Sequence, residues 1–277
     1  MGEAQKRLKS SVENFFDKFS DRYDDIFGRW MRYSTNRILG EIEIPDEPTC
    51  LDVACGTGLS TFELMKVCDG RGMFYGFDIS GEMVEIANEI ALEHGLDNVK
   101  FVKMDAEDIK YSDETFDLIL SNMSLQFFPD KLKALREMNR VLKSGGQFAF
   151  TFNGGPAMQE VIEVMLGVAS RHPEIPRLLQ DVRSSQSYFL GLEEWMDLFQ
   201  MTGFDLTNIY GRHSISFPDP GFITTKNNVS WDVWSQALPE DSIDVILNEI
   251  NQAALQATTK KGFRHTSYVI FAWGTKS

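Results

Sequence analysis

The stretch LDVACGTGLST, residues 51–61, decides the fold predicted for this chain. It joins a short apolar run to a turn containing Gly56 and Gly58, after which apolar residues recur at helical spacing up to residue 68. Glycine permits positive φ and lets another molecule approach the backbone closely. The start of the helix offers unpaired N–H groups suited to an anionic group. The stretch therefore predicts a strand–turn–helix unit with a ligand at the turn.

Outward from this stretch, apolar strands alternate with helical patterns. The predicted strands cover 50–55, 73–78, 99–105, 116–123 and 147–152, with helices at 59–68, 81–95 and 130–142. Such alternation predicts an α/β fold with a parallel sheet and right-handed crossovers. Strands near 205–217 and 267–274 extend it to a doubly wound, mostly parallel sheet of seven strands. Further helical patterns cover 11–40, 192–204, 219–235 and 239–258, and residues 156–190 contain a helical stretch, MQEVIEVMLGVAS, and a polar segment broken by proline.

Composition narrows the class of protein. The chain has 277 residues, 43% of them hydrophobic, and a net charge of −14. This acidity argues against general nucleic-acid binding. No apolar run is long enough to span a membrane, and no export signal is visible at residues 1–16. Three cysteines without paired spacing fit reduced thiols. We therefore expect a cytoplasmic protein, monomeric or homodimeric, without a bound metal.

Polar residues end four successive predicted strands. Asp52 lies near the end of the first strand, Asp78 closes the second, Asp105 the third and Asn122 the fourth. Parallel strands deliver their ends to one sheet edge, where ligands of open α/β folds bind. A carboxylate at the end of the second strand can accept hydrogen bonds from both hydroxyls of a ribose. A glycine turn alone is weak evidence, but this combination predicts a cofactor that contains adenosine.

With these motifs the sequence resembles the class I S-adenosylmethionine-dependent methyltransferases, in particular the group similar to ubiquinone and menaquinone C-methyltransferases (methyltransferase type 11). The resemblance covers residues 13–152, and its central pieces are LDVACGTG, GFDISGEMVEIA, VKMDAEDI, FDLILSNMSLQFFPD and REMNRVLKSGGQFAF. It implies a Rossmann-like fold and a single domain with four parts. These are a helical N-terminal lid (1–45), a cofactor-binding core (46–152), a cap that contacts the substrate (153–235) and a last helix and strand (236–277).

The resemblance also implies a role for thirteen residues in binding S-adenosylmethionine. These residues are expected to contact the methionine part, the ribose or the adenine, or to lie beside the reactive methyl group. They are Tyr23, Arg37, Asp52, Ala54, Gly56, Gly58, Asp78, Ile79, Met83, Asp105, Ala106, Asn122 and Gln126. The family usually has glycine at position 54, so Ala54 is a departure. Structural alternatives stay open: Asp52 orients the glycine turn, Met83 and Tyr23 are core residues, and Arg37 is a surface charge.

The expected reaction is in-line methyl transfer to a small organic acceptor, at carbon or oxygen. Positioning two reactants and excluding water supplies much of the rate enhancement in such a reaction. The weak candidates for a catalytic base are His213, His172 and His265, and the catalytic residue stays unassigned.

Apolar residues of the predicted cap indicate an aromatic or lipid-like acceptor, unless they form the cap's own core. They are Met158, Met165, Phe189, Trp195, Met196, Phe217, Phe222, Trp231 and Trp234. Two alternatives to the methyltransferase remain at this stage. One is an NAD-dependent oxidoreductase. The presence of Thr61 in place of the third glycine of the dinucleotide motif argues against it. The other is a protein that binds S-adenosylmethionine without catalysis.

Overall fold

The computed structural model describes residues 3–155, 157–185, 189–216, 235 and 238–277. The strands are β1 (Thr49–Val53), β2 (Met73–Asp78), β3 (Val99–Lys103), β4 (Phe116–Asn122), β5 (Leu142–Asn153), β6 (Phe204–Ser216) and β7 (His265–Lys276). The helices are α1 (Glu3–Leu39), α2 (Leu59–Val67), α3 (Gly81–Glu93), α4 (Lys131–Val141), α5 (Gln159–Ala169), α6 (Pro176–Ser185), α7 (Leu192–Met201) and α8 (Ile243–Gln256). Short 3-10 turns lie at Leu125–Phe127 and Glu240–Ser242.

Seven strands form one sheet in the order β3-β2-β1-β4-β5-β7-β6. The first five are parallel, whereas β7 runs antiparallel to both β5 and β6. The chain thus winds outward from β1 in two directions. The strand order reverses between β1 and β4, and in such sheets the ligand lies beyond the carboxyl ends of the strands at that point. The predicted α/β, mostly parallel seven-stranded fold is confirmed.

Apolar side chains cover both faces of the sheet, as buried parallel strands require. On one face, Ile119 and Phe148 belong to a cluster that includes α4 and α7. On the other, Leu118 and Phe74 pack in a cluster with Ile38 of α1 and with α2. Helices α5, α6 and α8 share a separate apolar cluster. The division of the chain into four functional parts stays a prediction.

Several predicted boundaries shift, most of all the starts of α1 and β5. Helix α1 begins at Glu3 rather than near residue 11, because residues 3–10 are good helix formers and Leu8 is buried. Strand β5 begins at Leu142 rather than at residue 147, since Leu142 pairs with Phe116 before a shift of register in the β4–β5 ladder. The predicted helix at 219–235 lies outside the described residues, apart from residue 235.

Two glycines provide a matched test of packing at the first turn. Gly58 has φ +81°, and a Cβ there would lie 2.9 Å from the rings of Phe101 and Phe62. Gly95 has φ +64°, but a Cβ there meets nothing within 4 Å. Both Gly→Ala changes cost about 1–2 kcal/mol of backbone energy, and Gly58→Ala adds about 1–3 kcal/mol of overpacking. We expect urea denaturation to show the larger loss for Gly58→Ala. Equal losses would contradict this packing.

Candidate functional site

A cleft of about 730 Å³ lies at the carboxyl ends of β1 to β4, with α1 along one side. Four elements of the sheet and the long N-terminal helix all contribute to its wall. The residues that line it are Lys9, Val12, Phe16, Tyr23, Ala54, Gly56, Phe77, Asp78, Ile79, Met83, Met104, Asp105, Ala106, Glu107, Asn122, Met123, Ser124, Phe127, Phe128 and Pro129. Nine of the thirteen residues predicted to bind the cofactor are thus brought together.

Asp78 is held rigidly at the edge of this cleft. The backbone N–H of Gly56 donates to its Oδ2, and that of Ser80 to its Oδ1, both at 2.9 Å. Burial raises the pKa of the Asp78 carboxyl, although these backbone bonds oppose the shift. Each carboxylate oxygen has two acceptor positions. The side chain is therefore fixed by the backbone and still has capacity to accept hydrogen bonds from a ligand.

The turn after β1 adopts left-handed backbone at three positions. The φ values are +58° at Ala54, +55° at Gly56 and +81° at Gly58. A Cβ at Gly56 would meet nothing within 4 Å, so space lies open above this residue of the cleft wall. Gly58 does not line the cleft and is required for packing instead. Ala54 carries a Cβ in a region that glycine adopts without strain.

Asp52 lies behind the turn and is buried, with 1% of its surface exposed. Its Oδ2 accepts a 2.7 Å hydrogen bond from the Thr61 hydroxyl. Its Oδ1 has no hydrogen-bond partner in the part of the chain that the structure describes. Burial raises the pKa of the Asp52 carboxyl to about 7, and the charge of Asp78 adds to this, while Thr61 opposes it. A cation at Oδ1 would satisfy this carboxylate.

Asp105 and Ala106 lie at the end of the cleft formed by β3. Asp105 Oδ1 accepts from the N–H of Glu107 at 2.9 Å, and Oδ2 accepts from Lys9 Nζ at 2.7 Å. Lys9 also contacts Glu107 Oε2 at 2.8 Å. The sequence motifs do not identify Lys9 or Glu107, since Lys9 and Asp105 are 96 positions apart in the chain. The one sequence signal for Glu107 was that it is an acidic residue two positions after Asp105.

Asn122 lines the cleft, but its amide is engaged within the protein. Its Nδ2 donates to Thr35 Oγ1 and Ser60 Oγ, each at 3.0 Å. Its Oδ1 accepts from Ser34 Oγ at 2.8 Å and from the Thr151 hydroxyl. Ser34 and Thr35 belong to α1, so Asn122 joins this helix to the sheet. Its proximity to the methyl group of the cofactor stays a prediction.

Helix α1 makes further polar contacts with the other strand ends. Asp17 accepts from Ser80 Oγ at 2.6 Å, and Asp24 accepts from Thr57 Oγ1 at 2.7 Å. Between these contacts, Tyr23 enters the cleft wall. Burial raises the pKa of the Tyr23 hydroxyl, and the charges of Asp78 and Asp24 add to the effect. Tyr23 is thus a neutral hydrogen-bond donor at the cleft.

The hydrophobic members of the predicted set line the cleft beside Asp78. They are Ile79 and Met83, the latter with 1% of its surface exposed. Phe16 of α1 and Phe127 also line the cleft, and their rings meet edge-on with centroids 5.6 Å apart. The cleft therefore offers carboxylates and flat apolar surface together.

Besides Asp52 and Gly58, two more predicted residues are not among those that line the described cleft. Arg37 is exposed, forms an ion pair with Glu41, and is not among the residues that line the described cleft. Gln126 is buried, donates from Nε2 to the Met123 carbonyl at 2.8 Å and accepts at Oε1 from the N–H of Asn153 at 3.1 Å. It fastens the turn whose other residues form the cleft wall.

None of the three histidine candidates is among the residues that line the described cleft. His172 contacts Glu174 at 2.8 Å and Glu249 at 3.1 Å. The His213 ring packs on the neighbouring strand residue Tyr268, with centroids 4.5 Å apart. His265 begins β7. The structure therefore brings no histidine to the cleft within its described ranges.

Three of the predicted apolar cap residues pack in two apolar cores. Trp195 is fully buried and packs on Phe152, with ring centroids 4.3 Å apart, whereas Met165 is buried in the cluster of α5, α6 and α8. Met158 packs against that same cluster, and Met196 is exposed. Phe217, Phe222, Trp231 and Trp234 lie outside the described residues.

A second lysine near the cleft was also missed. Lys131 Nζ donates to the carbonyls of Phe128 at 3.1 Å and Gln126 at 3.3 Å. Burial lowers the pKa of the Lys131 ammonium to about 8. Across residues 3–155 and the later described ranges, no carboxylate forms an ion pair with it. Its position at the start of α4 gave no sequence signal for burial.

Comparison with known proteins assigns the family. A family model described as a methyltransferase domain matches residues 45–198, more than half of the chain. The chain belongs to this methyltransferase family. The matched segment includes β1 to β5 and the cleft residues that follow them. The predicted resemblance is therefore confirmed.

Individual relatives agree with the family. The chain is 32% identical over 143 residues to aklanonic acid methyltransferase DauC of Streptomyces sp. (strain C5), covering 52% of this chain and 65% of the relative. It is 34% identical over 145 residues to demethylmenaquinone methyltransferase of Staphylococcus aureus (strain MRSA252), covering 51% of this chain and 59% of the relative. The matches therefore span less than two thirds of either relative.

Solved structures show the same fold. The YcgJ protein of Bacillus subtilis superimposes with a TM-score of 0.60 at 24% identity, covering 88% of this chain and 98% of that chain. At this identity the likeness concerns the fold alone.

Among the helices described here, none has the length and apolarity needed to cross a membrane.

The buried Asp52 predicts an unusual dependence of stability on pH. Its carboxyl has a pKa of about 7 in the folded chain and about 3.9 when unfolded. Between these values the native state binds more protons, so the free energy of unfolding falls as pH rises. We expect denaturation of the ligand-free proteins to show that, from pH 5 to pH 8, the free energy of unfolding of wild type falls by about 2–3 kcal/mol more than that of Asp52→Asn.

Glu89→Gln, which changes an exposed carboxylate of α3, serves as the control and should follow wild type. If Asp52→Asn and wild type lose stability in parallel between the two pH values, the assigned pKa of Asp52 is wrong.

Proposed function

We propose that this chain transfers a methyl group from S-adenosylmethionine to a small organic acceptor, at carbon or oxygen. The observation that carries the proposal is Asp78, fixed by two backbone N–H groups at the edge of the cleft with acceptor capacity to spare. Family membership and the names of the relatives support it.

The residues present fit this cofactor. The unpartnered Asp52 Oδ1 suits its ammonium group, together with the Ala54 carbonyl. Asp78 would accept hydrogen bonds from the ribose hydroxyls, and the open space at Gly56 admits a ligand next to the backbone. Asp105 would accept from the adenine amino group. Ile79 and Met83 would pack on the nucleoside, and the N–H of Ala106 would donate to the adenine ring.

When bound, the cofactor supplies a methyl group on a positive sulfonium whose departure leaves a neutral thioether. The chain's own contribution is positioning and exclusion of water, which can account for much of the barrier reduction. Phe16 and Tyr23 of α1, together with Phe127 and Phe128 of the turn after β4, form an apolar wall that would hold an acceptor against the cofactor. No catalytic base is assigned, since no histidine is among the residues that line the described cleft, and a base is needed only where the acceptor must lose a proton of high pKa.

The names of two relatives point to the acceptor class. One is called an aklanonic acid methyltransferase and the other a demethylmenaquinone methyltransferase. Their named substrates support an aromatic or quinone-like molecule as the acceptor of this chain. The aromatic cleft wall agrees, because flat apolar rings pack well on one another. A cytoplasmic location and a monomeric or homodimeric state belong to this proposal and rest on composition.

The two alternatives gain no observation of their own. An NAD-dependent oxidoreductase is unsupported by the family match, which is to a methyltransferase domain.

Cofactor binding without catalysis is separated from the proposal by an activity assay. Purified chain is incubated with S-adenosylmethionine labelled in the methyl group and with a panel of quinols, polyketide phenols and carboxylic acids. Label in one of these products supports the proposal, and tight binding without transfer to any acceptor contradicts it.

Asp78→Ala is expected to weaken binding of S-adenosylhomocysteine by at least about 100-fold, because two hydrogen bonds to a charged acceptor are lost. Calorimetry on the purified variants measures the dissociation constant, and circular dichroism confirms that the variant is folded. Asp205→Ala, at an exposed carboxylate of β6, is the matched control and should bind as wild type does. Unchanged affinity in folded Asp78→Ala would refute the assigned ribose site.

A further inference from the structure

Three charged side chains from two separate parts of the chain meet at the β3 end of the cleft. Lys9 Nζ on α1 lies 2.7 Å from Asp105 Oδ2 and 2.8 Å from Glu107 Oε2. All three residues line the cleft. The side chains of Lys9 and Glu107 are only 15% and 5% exposed. Lys9 is the single basic residue among those that line the described cleft, so this cation is placed where a ligand meets it.

The protonation state of Lys9 follows from its partners. Burial lowers the pKa of its ammonium, but the hydrogen bonds to Asp105 and Glu107 outweigh burial and raise the pKa overall. Lys9 is therefore a cation at neutral pH. An ammonium has three N–H donors, and the two carboxylates engage two of them. One donor is left for the cleft.

The carboxylates retain acceptor positions as well. Glu107 Oε1 accepts from the N–H of Asp130 at 3.1 Å, which holds Glu107 in place from the opposite side. Asp105 Oδ1 accepts from the N–H of Glu107, and the Asp105 side chain is 36% exposed. A donor and an acceptor thus stand next to each other at this end of the cleft. A purine edge with an amino group and ring nitrogens presents the complementary pair.

We propose that Lys9 is a nucleobase-recognition residue, which binds Asp105 and Glu107 with two N–H groups and donates the third to a ring nitrogen of the adenine. This inference rests on the proposed function, because that function places the adenine at Asp105. It makes α1 part of the cofactor site through a polar contact and explains why a cation is buried between two carboxylates there.

The chain offers a matched control for the loss of an ion pair between α1 and β3. Lys103 of β3 lies 2.7 Å from Glu13 of α1. Its side chain is 55% exposed, and neither Lys103 nor Glu13 is among the cleft-lining residues. Lys103→Met therefore removes a helix-to-strand ion pair without touching the cleft, whereas Lys9→Met removes one inside it.

The test combines these variants with three ligands that each lack one ring nitrogen. Calorimetry measures binding of S-adenosylhomocysteine and of its 1-deaza, 3-deaza and 7-deaza analogues to wild type, Lys9→Met, Lys9→Arg and Lys103→Met. We expect Lys9→Met to bind S-adenosylhomocysteine about tenfold more weakly, as the loss of one hydrogen bond from a charged donor implies. Lys9→Arg should restore most of the affinity, and Lys103→Met should bind as wild type does.

The deaza analogues separate a direct contact from a merely structural role. For wild type, one analogue should bind about tenfold more weakly than S-adenosylhomocysteine. For Lys9→Met, the same analogue and S-adenosylhomocysteine should bind equally well, because the variant and the analogue remove the same contact. The inference is overturned if no analogue shows this coupling, or if Lys103→Met loses as much affinity as Lys9→Met. Failure of wild type to bind S-adenosylhomocysteine would instead overturn the proposed function.

Discussion

The attachment of α1 across the carboxyl edge of the sheet is the constraint on which the cleft depends. Asn122 at the end of β4 holds the helix through the hydroxyls of Ser34 and Thr35. The same amide binds Ser60 of α2 and Thr151 of β5. These groups are buried and satisfy one another, and each would cost about 1–3 kcal/mol if left unpaired. Because α1 supplies one wall, this network helps to hold that wall against the sheet, together with the contacts of Asp17, Asp24 and Lys9.

Electrostatics give the cleft its second defining property. The acidic residues that line the cleft are Asp78, Asp105 and Glu107, and Lys9 is the one described basic residue in its lining. The buried Asp52 lies behind the turn that follows β1. Burial disfavours the charged form of a carboxyl, and the pKa values of Asp52 and Asp78 are raised accordingly. A ligand that carries positive charge would restore the charged forms. The ammonium and sulfonium of the proposed cofactor meet this requirement, and the cofactor and the acidic edge are thus complementary.

The same residue type carries out different tasks at neighbouring positions of the site. Gly56 borders open space in the cleft, whereas Gly58 is required because Phe101 and Phe62 pack against it. Asn122 ends β4 and Gln126 lies in the turn after it, yet both amides are used to hold the protein together. Sequence spacing identified the two glycines and Asn122, and the family resemblance added Gln126. Neither separated contact with a ligand from support of the wall, because that difference depends on the direction of each side chain.

The sequence by itself determined the order of strands and helices and the acids at the ends of β1 to β3. Period-two and helical patterns are local, and parallel strands bring their ends together whatever the flanking segments do. Only the tertiary structure decided that Arg37 lies away from the cleft and that Lys9 joins Asp105 inside it. Those outcomes depend on where a 37-residue helix crosses the sheet. That crossing is set by contacts between residues far apart in the chain, which no local pattern records.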